Sequence, residues 1–266
     1  MTVRIDLGGR TALVSGSTAG IGRAILEGLA GAGADVVVNG RTQEAVDTAV
    51  AEMRAAHPGV TVRGVAADVS SADGCAAMTA AVGDIDILVN NVATFSASAF
   101  LDLADEEWNR YWETNVMSGV RLSRAYLRGM LARDWGRIVF ISSESAQRVP
   151  KDMVHYGTTK MAQIALARGL AEAAAGTGVT VNSVLPDPTT SRAVGGFLGA
   201  VAKKQGVTPE EVGAGFLRTN KPTSLLHRFA APQEVANMVV YVCSPQASAT
   251  TGAALLVEGG VVGTTL

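Results

Sequence analysis

The chain has 266 residues, of which 48% are apolar and 17% are charged, and its formal net charge is −2. Nucleic-acid binding needs a basic patch, and the longest basic run here is Lys203-Lys204, so nucleic acid is not an expected partner. No apolar run approaches the roughly 20 residues that cross a bilayer, and the N-terminus lacks a secretory signal, so no membrane association is expected. Cys75 and Cys243 are expected to be reduced, buried thiols of a cytoplasmic protein. No His/Cys/Asp cluster has metal-ligand spacing, so no metal site is expected.

Short β-branched runs alternate along the chain with longer stretches rich in Ala and Leu. The runs predict strands at 11–15, 36–39, 60–68, 86–91, 136–142, 179–186 and 252–260. The longer stretches predict helices at 21–34, 42–56, 105–133, 153–175 and 232–244, and Ser70-Ser71 predicts the cap of one more helix. The strands are continuously apolar and separated by helices, which indicates a parallel sheet covered on both faces.

These elements predict an α/β protein with three layers and a doubly wound, seven-stranded parallel sheet. We see no repeat and no linker, so one domain is expected over residues 1–266. Residues 188–225 form a long segment that we predict to be irregular and rich in glycine. Long insertions in compact domains are often functional lids, so we expect this segment to cover a pocket.

Glycine and polar residues follow six of the predicted strands at the point where each strand ends. In open α/β sheets, ligands bind in the crevice beyond the carboxyl ends of the strands. These residues are the loop SGSTAGIG at 15–22, Asn39-Gly40-Arg41, Asp68, Asn90-Asn91, Ser142-Ser143 and Pro186-Asp187. The repetition at one edge predicts a binding cleft there.

The glycine loop between the first strand and the first helix contains Gly16, Gly20 and Gly22. Glycines in this context let backbone N–H groups approach a phosphate at the helix N-terminus, which predicts a dinucleotide site. The spacing G-x-x-x-G-x-G lacks the Lys-Ser/Thr of a P-loop, and a plain glycine-rich turn is the alternative.

Tyr156 precedes Lys160 by four residues in the predicted helix 153–175, so both side chains share one helix face. A free tyrosine has a pKa of about 10, and a cation within about 4–6 Å favours its ionised form. The pair is therefore a candidate acid/base unit, and an ordinary surface pair is the alternative.

Taken together, SGSTAGIG, NNVA at 90–93, Asn115, Ser143 and the Tyr156/Lys160 pair resemble the short-chain dehydrogenase/reductase family in order and spacing. The resemblance runs from about Asp6 to Gly260, with Ser15 in place of the family's threonine. It implies a Rossmann fold and hydride transfer between a nicotinamide cofactor and a carbonyl or alcohol.

The resemblance also implies a role for each residue. Tyr156 would give or take the proton, Lys160 would lower the pKa of that tyrosine and hold the ribose, and Ser143 would bind the substrate oxygen. Asn115 would hold a water that links Lys160 to solvent, and Ser142 is one residue too far from Tyr156. The implied cofactor contacts are Gly16, Thr18, Gly20, Ile21, Gly22, Arg41, Asp68, Val69, Asn90, Tyr156, Lys160, Pro186 and Thr189.

The residues after the second strand predict which nicotinamide cofactor is used. An acid at the end of this strand would bind the ribose 2′-hydroxyl of NAD. By resemblance that position is Gly40, and Arg41 follows it. A cation without a neighbouring acid predicts NADP(H) in preference to NAD(H). A solvated arginine at a helix start is the alternative.

Two residues depart from the family pattern, because Ala93 and Asp187 stand where the family has glycine. A carboxylate at 187 that faced the cofactor would repel its phosphates. A carboxylate that turned outward would instead fix the loop by accepting hydrogen bonds from backbone N–H groups. We expect the outward orientation to be allowed and the repulsion to weaken cofactor binding modestly.

The segments 94–105 and 188–225 correspond to the family's variable substrate pocket. Their candidate wall residues predict a small to medium, largely apolar ketone, aldehyde or alcohol: Phe95, Phe100, Val149, Phe197 and Phe216. A non-catalytic NADP-binding redox sensor, or a family member that eliminates or epimerises, stays open. The resemblance also implies a homotetramer or homodimer, and we expect His155 to be a packing or pocket-rim residue.

Overall fold

A computed structural model describes residues 4–190 and 192–263. Its centre is a sheet of seven parallel strands in the order β3-β2-β1-β4-β5-β6-β7, which confirms the predicted fold class. The strands are β1 (Thr11–Val14), β2 (Asp35–Gly40), β3 (Val62–Ala66), β4 (Ile87–Asn90), β5 (Gly136–Ile141), β6 (Val179–Pro186) and β7 (Ala254–Val257).

The helices are α1 (Gly20–Gly31), α2 (Gln43–Ala56), α3 (Ala72–Val82), α4 (Asp105–Trp112), α5 (Ser118–Ala132), α6 (Val154–Ala173), α7 (Arg192–Gln205), α8 (Pro209–Asn220) and α9 (Pro232–Cys243). A π-helical turn, Glu113–Met117, joins α4 to α5. The prediction of one regular helix over 105–133 is therefore wrong at its centre. None of the helices in the two described ranges is long and apolar enough to cross a membrane.

The sheet is covered by helices on both faces, as the apolar strands predict. Successive side chains of a strand point to opposite faces, so Leu13 and Val14 lie in different cores. The core that contains Val14 is formed with α1, α2 and α9, and the core that contains Leu13 is formed with α3, α5 and α6. Because both residues are fully buried, the central strands are rigid supports for the loops that follow them.

Residues 192–205 and 209–220 form α7 and α8, so the prediction of an irregular segment over 188–225 is wrong. The N-terminus of α8 is closed by a capping box. The Thr208 hydroxyl accepts the Glu211 N–H at 3.2 Å, and the Glu211 carboxylate accepts the Thr208 N–H at 2.8 Å. Thr208-Pro209-Glu210-Glu211 is a local signal of a helix N-terminus, although Gly213 and Gly215 weaken the helix propensity of the residues that follow.

The order of the strands also fixes where a ligand can bind. The chain runs from β1 outward to β3, then returns to place β4 on the other side of β1. Loops therefore diverge on either side of the β1–β4 pair and leave a crevice between them at the carboxyl edge of the sheet.

Candidate active site

One cleft of about 1290 Å³ opens at the carboxyl edge of the sheet. Loops from both halves of the chain line it, and so do residues of α7 and α8. The predicted site residues that line this cleft are Gly16, Thr18, Ile21, Gly22, Arg41, Asp68, Val69, Ser143, Tyr156, Lys160, Pro186 and Thr189. Gly20, Asn90 and Asn115 do not line it.

The N-terminus of α1 faces the glycine loop and has no side-chain cap. Its N-cap residue is Ala19, and the first turn contains no acidic residue. The loop is tightly closed, since a Cβ on Gly22 would lie 2.4 Å from the Gly16 carbonyl oxygen. Uncapped N–H groups at the positive end of a helix favour an anion, so this end of the cleft fits a phosphate group.

Asn91, which the sequence prediction omitted from the cofactor site, supports the glycine loop. Its side-chain amide donates to the carbonyl oxygens of Ser15 at 3.0 Å and Gly16 at 3.1 Å. Asn90 points away from the cleft and donates to the Ser123 hydroxyl at 3.1 Å. Because neighbouring side chains at a strand end point to opposite faces, only one of the two asparagines reaches the cleft.

Gly40 and Arg41 lie at the end of β2, as predicted. A Cβ on Gly40 would approach the Thr18 side chain to 2.6 Å, so an acidic side chain at 40 would require Thr18 to shift. Arg41 is exposed and lines the cleft, with no hydrogen bond or ion pair to the residues at 4–190 and 192–263. Its guanidinium is therefore available to a ligand.

Asp68 is exposed at the end of β3. Its carboxylate accepts the Ser70 N–H at 3.1 Å and the Ser70 hydroxyl at 2.7 Å. These bonds shape the turn that leads into α3, which begins after the predicted cap, Ser71. Asp68 is thus both a turn residue and a residue of the cleft wall.

Ser143, Tyr156 and Lys160 meet at the floor of the cleft. Ser143 lies two residues beyond the end of β5 and caps a short 3-10 turn, while Tyr156 and Lys160 lie on α6. Ser143, Tyr156 and Lys160 all line the cleft at this point. The neighbouring Ser142 instead donates to the Lys160 carbonyl oxygen at 2.8 Å, which commits it to a structural bond.

The Lys160 ammonium lies 5.6 Å from the centroid of the Tyr156 ring but bonds elsewhere. It donates to the Ile141 carbonyl oxygen at 2.9 Å and to the Gln163 side-chain oxygen at 3.2 Å. Burial lowers the pKa of Lys160 to about 7. Burial also raises the pKa of Tyr156 well above its ordinary value, although the nearby Ser143 side chain acts to lower it. The predicted lowering of the tyrosine pKa is therefore wrong for this arrangement, because desolvation outweighs the distant cation.

Asn115 is fully buried in the π-helical turn and joins three segments. Its side chain accepts the Thr94 N–H at 2.7 Å and donates to the Thr159 hydroxyl at 3.0 Å. Its backbone carbonyl oxygen accepts the Gln163 side-chain amide at 2.5 Å. Asn115 thus ties the loop after β4 to α6 and reaches Lys160 only through Gln163.

A cluster of Glu144, Asp187 and Lys221, which we call the acid–lysine cluster, adjoins Ser143 in the cleft. The Ser143 hydroxyl donates to the Glu144 carboxylate at 2.7 Å. Lys221, at the end of α8, forms ion pairs with Glu144 and, at 2.7 Å, with Asp187. Glu144 is 2% exposed and Asp187 is 8% exposed. Sequence analysis missed Glu144 and Lys221, whose proximity depends entirely on the fold.

Asp187 follows β6 with its carboxyl group turned inward to this cluster. The expectation of an outward carboxylate is wrong, because Lys221 provides a buried cation that no local pattern indicates. Burial and the adjacent Glu144 raise the pKa of Asp187 well above its ordinary value. Its Oδ1 atom pairs with Lys221, whereas its buried Oδ2 atom has no hydrogen-bond partner among the described residues.

The rest of the cleft wall is partly apolar. Phe95, Val149 and Phe216 line it as expected, whereas Phe100 does not, and the side chain of Phe197 lies outside the described residues. His155 is fully buried and packs edge-on against Tyr111, with 4.2 Å between ring centroids. It is therefore a packing residue and not a residue of the pocket rim.

Comparison with known proteins agrees with this geometry. A family model described as enoyl-(acyl carrier protein) reductase matches residues 16–262. The chain belongs to the short-chain dehydrogenase/reductase family. Two uncharacterized oxidoreductases of Bacillus subtilis strain 168 are similar to it. YvrD is 45% identical over 97% of this chain and 98% of its own length, and YvaG is 42% identical over 98% of both.

Among solved structures, the L-sorbose reductase of Gluconobacter frateurii, complexed with NADPH and L-sorbose, matches with a TM-score of 0.92. It is 32% identical, and the match covers 98% of this chain and 100% of that one. The chain is therefore an oxidoreductase of this family with a nicotinamide-binding Rossmann fold.

Proposed function

We propose that the protein is an NADP(H)-dependent oxidoreductase that interconverts a ketone or aldehyde and an alcohol, with Tyr156 as the proton donor or acceptor. The observation that carries the proposal is that a single cleft joins the uncapped start of α1 and Arg41 to Ser143, Tyr156 and Lys160. A bound nicotinamide cofactor would supply the hydride, and the protein would supply position and electrostatics.

The residues at the floor of the cleft would have different roles in the reaction. Tyr156 keeps its proton at neutral pH, as an ordinary phenol does, and its place at the floor of the cleft would let it act as a general acid toward a carbonyl oxygen. Ser143 lies beside the phenol and would hydrogen-bond the same oxygen. Lys160 is held by Ile141 and Gln163 at the base of the cleft, where its ammonium can turn toward a cofactor ribose.

NADP(H) is proposed over NAD(H) for two reasons. Gly40 leaves no room for an acid unless Thr18 shifts, and the unpaired Arg41 guanidinium lies in the cleft wall. Arg recognises phosphate through charge-assisted bonds. L-sorbose reductase was crystallised with NADPH, which is consistent with this preference.

The substrate is proposed to be small to medium and largely apolar, because Phe95, Val149 and Phe216 form much of the wall. One side of the pocket is polar, at the acid–lysine cluster. The apolar wall therefore faces a hydrogen-bonding wall, and a substrate with one polar end beside its carbonyl fits both.

We also propose that the protein is a cytoplasmic homotetramer or homodimer. Met161 on α6 and Leu256 on β7 are 44% and 39% exposed, and both lie on the elements expected to form interfaces. Cys75 and Cys243 are free, as thiols are in a reducing compartment.

The test of the function is Tyr156→Phe, which removes the transferable proton and leaves the ring. A screen of the purified protein with NADPH and diverse ketones, followed at the nicotinamide absorbance, first provides a substrate. We expect turnover to fall by about 10²–10⁴-fold, the usual contribution of positioned proton transfer. NADPH affinity should stay unchanged. A variant that keeps most of its rate would show that Tyr156 is not the acid.

A further inference from the structure

The acid–lysine cluster contains a buried polar atom that the fold leaves without a hydrogen bond. The Glu144 carboxylate accepts the hydroxyls of Ser143 at 2.7 Å and Ser145 at 3.1 Å, and it also pairs with the Lys221 ammonium. Asp187 is more than nine-tenths buried and pairs with Lys221 through Oδ1 at 2.7 Å, whereas its Oδ2 atom has no partner among the described residues. Buried polar atoms are normally hydrogen-bonded, so this exception in a cleft wall points to a ligand.

The strand register places Asp187 beside Ser143. β5 and β6 are neighbours in the sheet, with Ile141 opposite Val184, and the two residues follow the ends of these strands. Neighbouring strands lie about 4.8 Å apart, so one small molecule can contact the residues that follow both. The terminal torsion of an aspartate is soft, which lets the carboxyl group adjust to a ligand while one of its oxygens stays with Lys221.

The surroundings of Oδ2 favour a hydroxyl group as its partner. A ligand ammonium would lie next to the Lys221 ammonium on the same carboxyl group, and the two positive charges would repel each other. An ether or a second carbonyl group has no proton to donate to an ionised carboxylate. A hydroxyl group both donates and accepts, so it satisfies Oδ2 whether Asp187 is ionised or protonated.

Lys221 supplies the other half of such a site. Among the described residues its ammonium pairs with two carboxyl groups, and an ammonium has three N–H donors. The remaining donor suits the oxygen of a hydroxyl group whose proton is given to Asp187. Glu144 alone would neutralise the lysine, so the second carboxyl group is not needed for charge balance. It provides an acceptor next to a donor, which is the pattern that a hydroxyl group requires.

We propose that Asp187 and Lys221 form a subsite for a hydroxyl group on the carbon next to the reacting carbonyl. The substrates are then α-hydroxy ketones in reduction and vicinal diols in oxidation. The proposal rests on the function proposed above, in which Ser143 and Tyr156 bind the carbonyl oxygen. The two oxygens of an α-hydroxy ketone stand on adjacent carbons, which matches a carbonyl site at Ser143 and a hydroxyl site at the next strand. The apolar wall of the cleft would hold the rest of the substrate.

The first test compares two ketones that differ by one group of similar size. α-Hydroxyacetophenone has a hydroxyl group where propiophenone has a methyl group, and both have an aromatic ring that suits the apolar wall. The value of kcat/KM is measured for each ketone with NADPH at the nicotinamide absorbance. A difference in intrinsic reactivity affects every variant equally, so the ratio of the two values is compared between the wild type and its variants.

Two variants remove the carboxylate and leave Lys221 paired with Glu144. Asp187→Asn keeps the shape of the side chain, and Asp187→Gly restores the residue that the family has at this position, so its backbone should be tolerated. Asp152→Asn is the matched control, because Asp152 is an exposed acid that lines the same cleft outside the cluster.

In both Asp187 variants the ratio of kcat/KM for the hydroxy ketone to that for propiophenone should fall by about 10-fold, which a hydrogen bond to a charged group contributes. Asp152→Asn should keep the wild-type ratio. An equal loss for both ketones would show that Asp187 only supports the fold, and it would overturn the subsite. A ratio that Asp187 does not change would overturn it as well.

A second measurement does not need turnover. Protein saturated with the oxidised cofactor is titrated by calorimetry with styrene glycol and with 1-phenyl-1-propanol, which has a methyl group in place of the second hydroxyl. The wild type should bind the glycol about 10-fold more tightly, and Asp187→Gly should bind both alike. 2-Amino-1-phenylethanol should bind more weakly than the glycol. Tighter binding of this amine would overturn the assignment of a hydroxyl group.

The failure of the subsite and the failure of the proposed function give different results. A wild type that reduces neither ketone but binds the glycol tightly through Asp187 would contradict the function and leave the subsite standing. A wild type that reduces both ketones with a ratio independent of Asp187 would support the function and overturn the subsite.

Discussion

Arg41→Ala tests the cofactor preference most directly, because the guanidinium has no other partner in the described parts of the chain. The substitution removes one positive charge from the cleft wall and disturbs no bond that holds the fold together. We expect weaker binding of NADPH and unchanged binding of NADH, which lacks the 2′-phosphate.

The size of the effect follows from the exposure of Arg41. A hydrogen bond to a charged group contributes about 1.5–3 kcal/mol, and solvent around an exposed side chain favours the lower part of that range. About 1.5–2 kcal/mol corresponds to a loss of roughly 10- to 30-fold in NADPH affinity. The difference should shrink at high ionic strength, because salt screens exposed charges.

The assay is fluorescence titration of both cofactors against the wild type and Arg41→Ala. Arg124→Ala is the matched control, an exposed arginine on α5 that does not line the cleft. Equal losses for NADPH and NADH in Arg41→Ala would refute the reasoning. So would tighter binding of NADH than of NADPH by the wild type.

Two further predictions concern stability and assembly. Burial lowers the pKa of Lys160 to about 7, so between about pH 7 and its ordinary pKa of about 10.4 the unfolded chain binds more protons than the folded one. The contribution of Lys160 to the free energy of unfolding therefore rises with pH across that window. Lys160→Met should reduce this rise, measured as the difference in unfolding free energy between urea denaturation at pH 7 and at pH 9. The same pH dependence in the variant and the wild type would contradict the prediction. Light scattering at micromolar concentration should give the mass of a homotetramer or homodimer, and a monomer would end that proposal.

Structural elements with a local sequence pattern can be predicted from the sequence, whereas those that depend on tertiary contacts cannot. The seven strands were predictable because burial on both faces makes each of them a short, continuous apolar run. Helix α7 was missed because Gly195, Gly196 and Gly199 interrupt its apolar pattern, and α8 because its capping box at Thr208 was overlooked. In α7 the intrinsic helix propensity is weak and tertiary packing overrides it, whereas the cap of α8 is a local signal in the sequence.

The π-helical turn shows a second kind of limit. Residues 105–133 have the apolar periodicity of one helix, and nothing local marks a wider turn at 113–117. Asn115 is held there by Thr94 and Thr159, which lie far away in the chain. Contacts of this kind form only once the sheet has brought the segments together.

The site repeats this contrast. Motif order and spacing placed Ser143, Tyr156 and Lys160 correctly in one cleft. They could not give the sign of the tyrosine pKa shift, which depends on the depth of burial and on where the Lys160 ammonium points. Nor could they single out Glu144, since its partner Lys221 lies 77 residues away and is brought to it by α8.

Lys221 also constrains how α8 can move away from the cleft. It is partly buried, and it pairs with the buried carboxyl groups of Glu144 and Asp187, which would be left without a cation if α8 moved away. Arg148 adds a bond to Thr223 at 2.7 Å just beyond α8. The C-terminal end of α8 is therefore anchored to the catalytic floor.

Helix α7 has a face that is open to solvent. Cβ atoms on Gly195 and Gly196, which are exposed, would meet nothing within 4 Å. Because opening at α8 would separate Lys221 from two buried carboxyl groups and opening at α7 would not, substrate should enter on the side of α7. Lys221 would then stay paired with Glu144 and Asp187 while the pocket fills and empties.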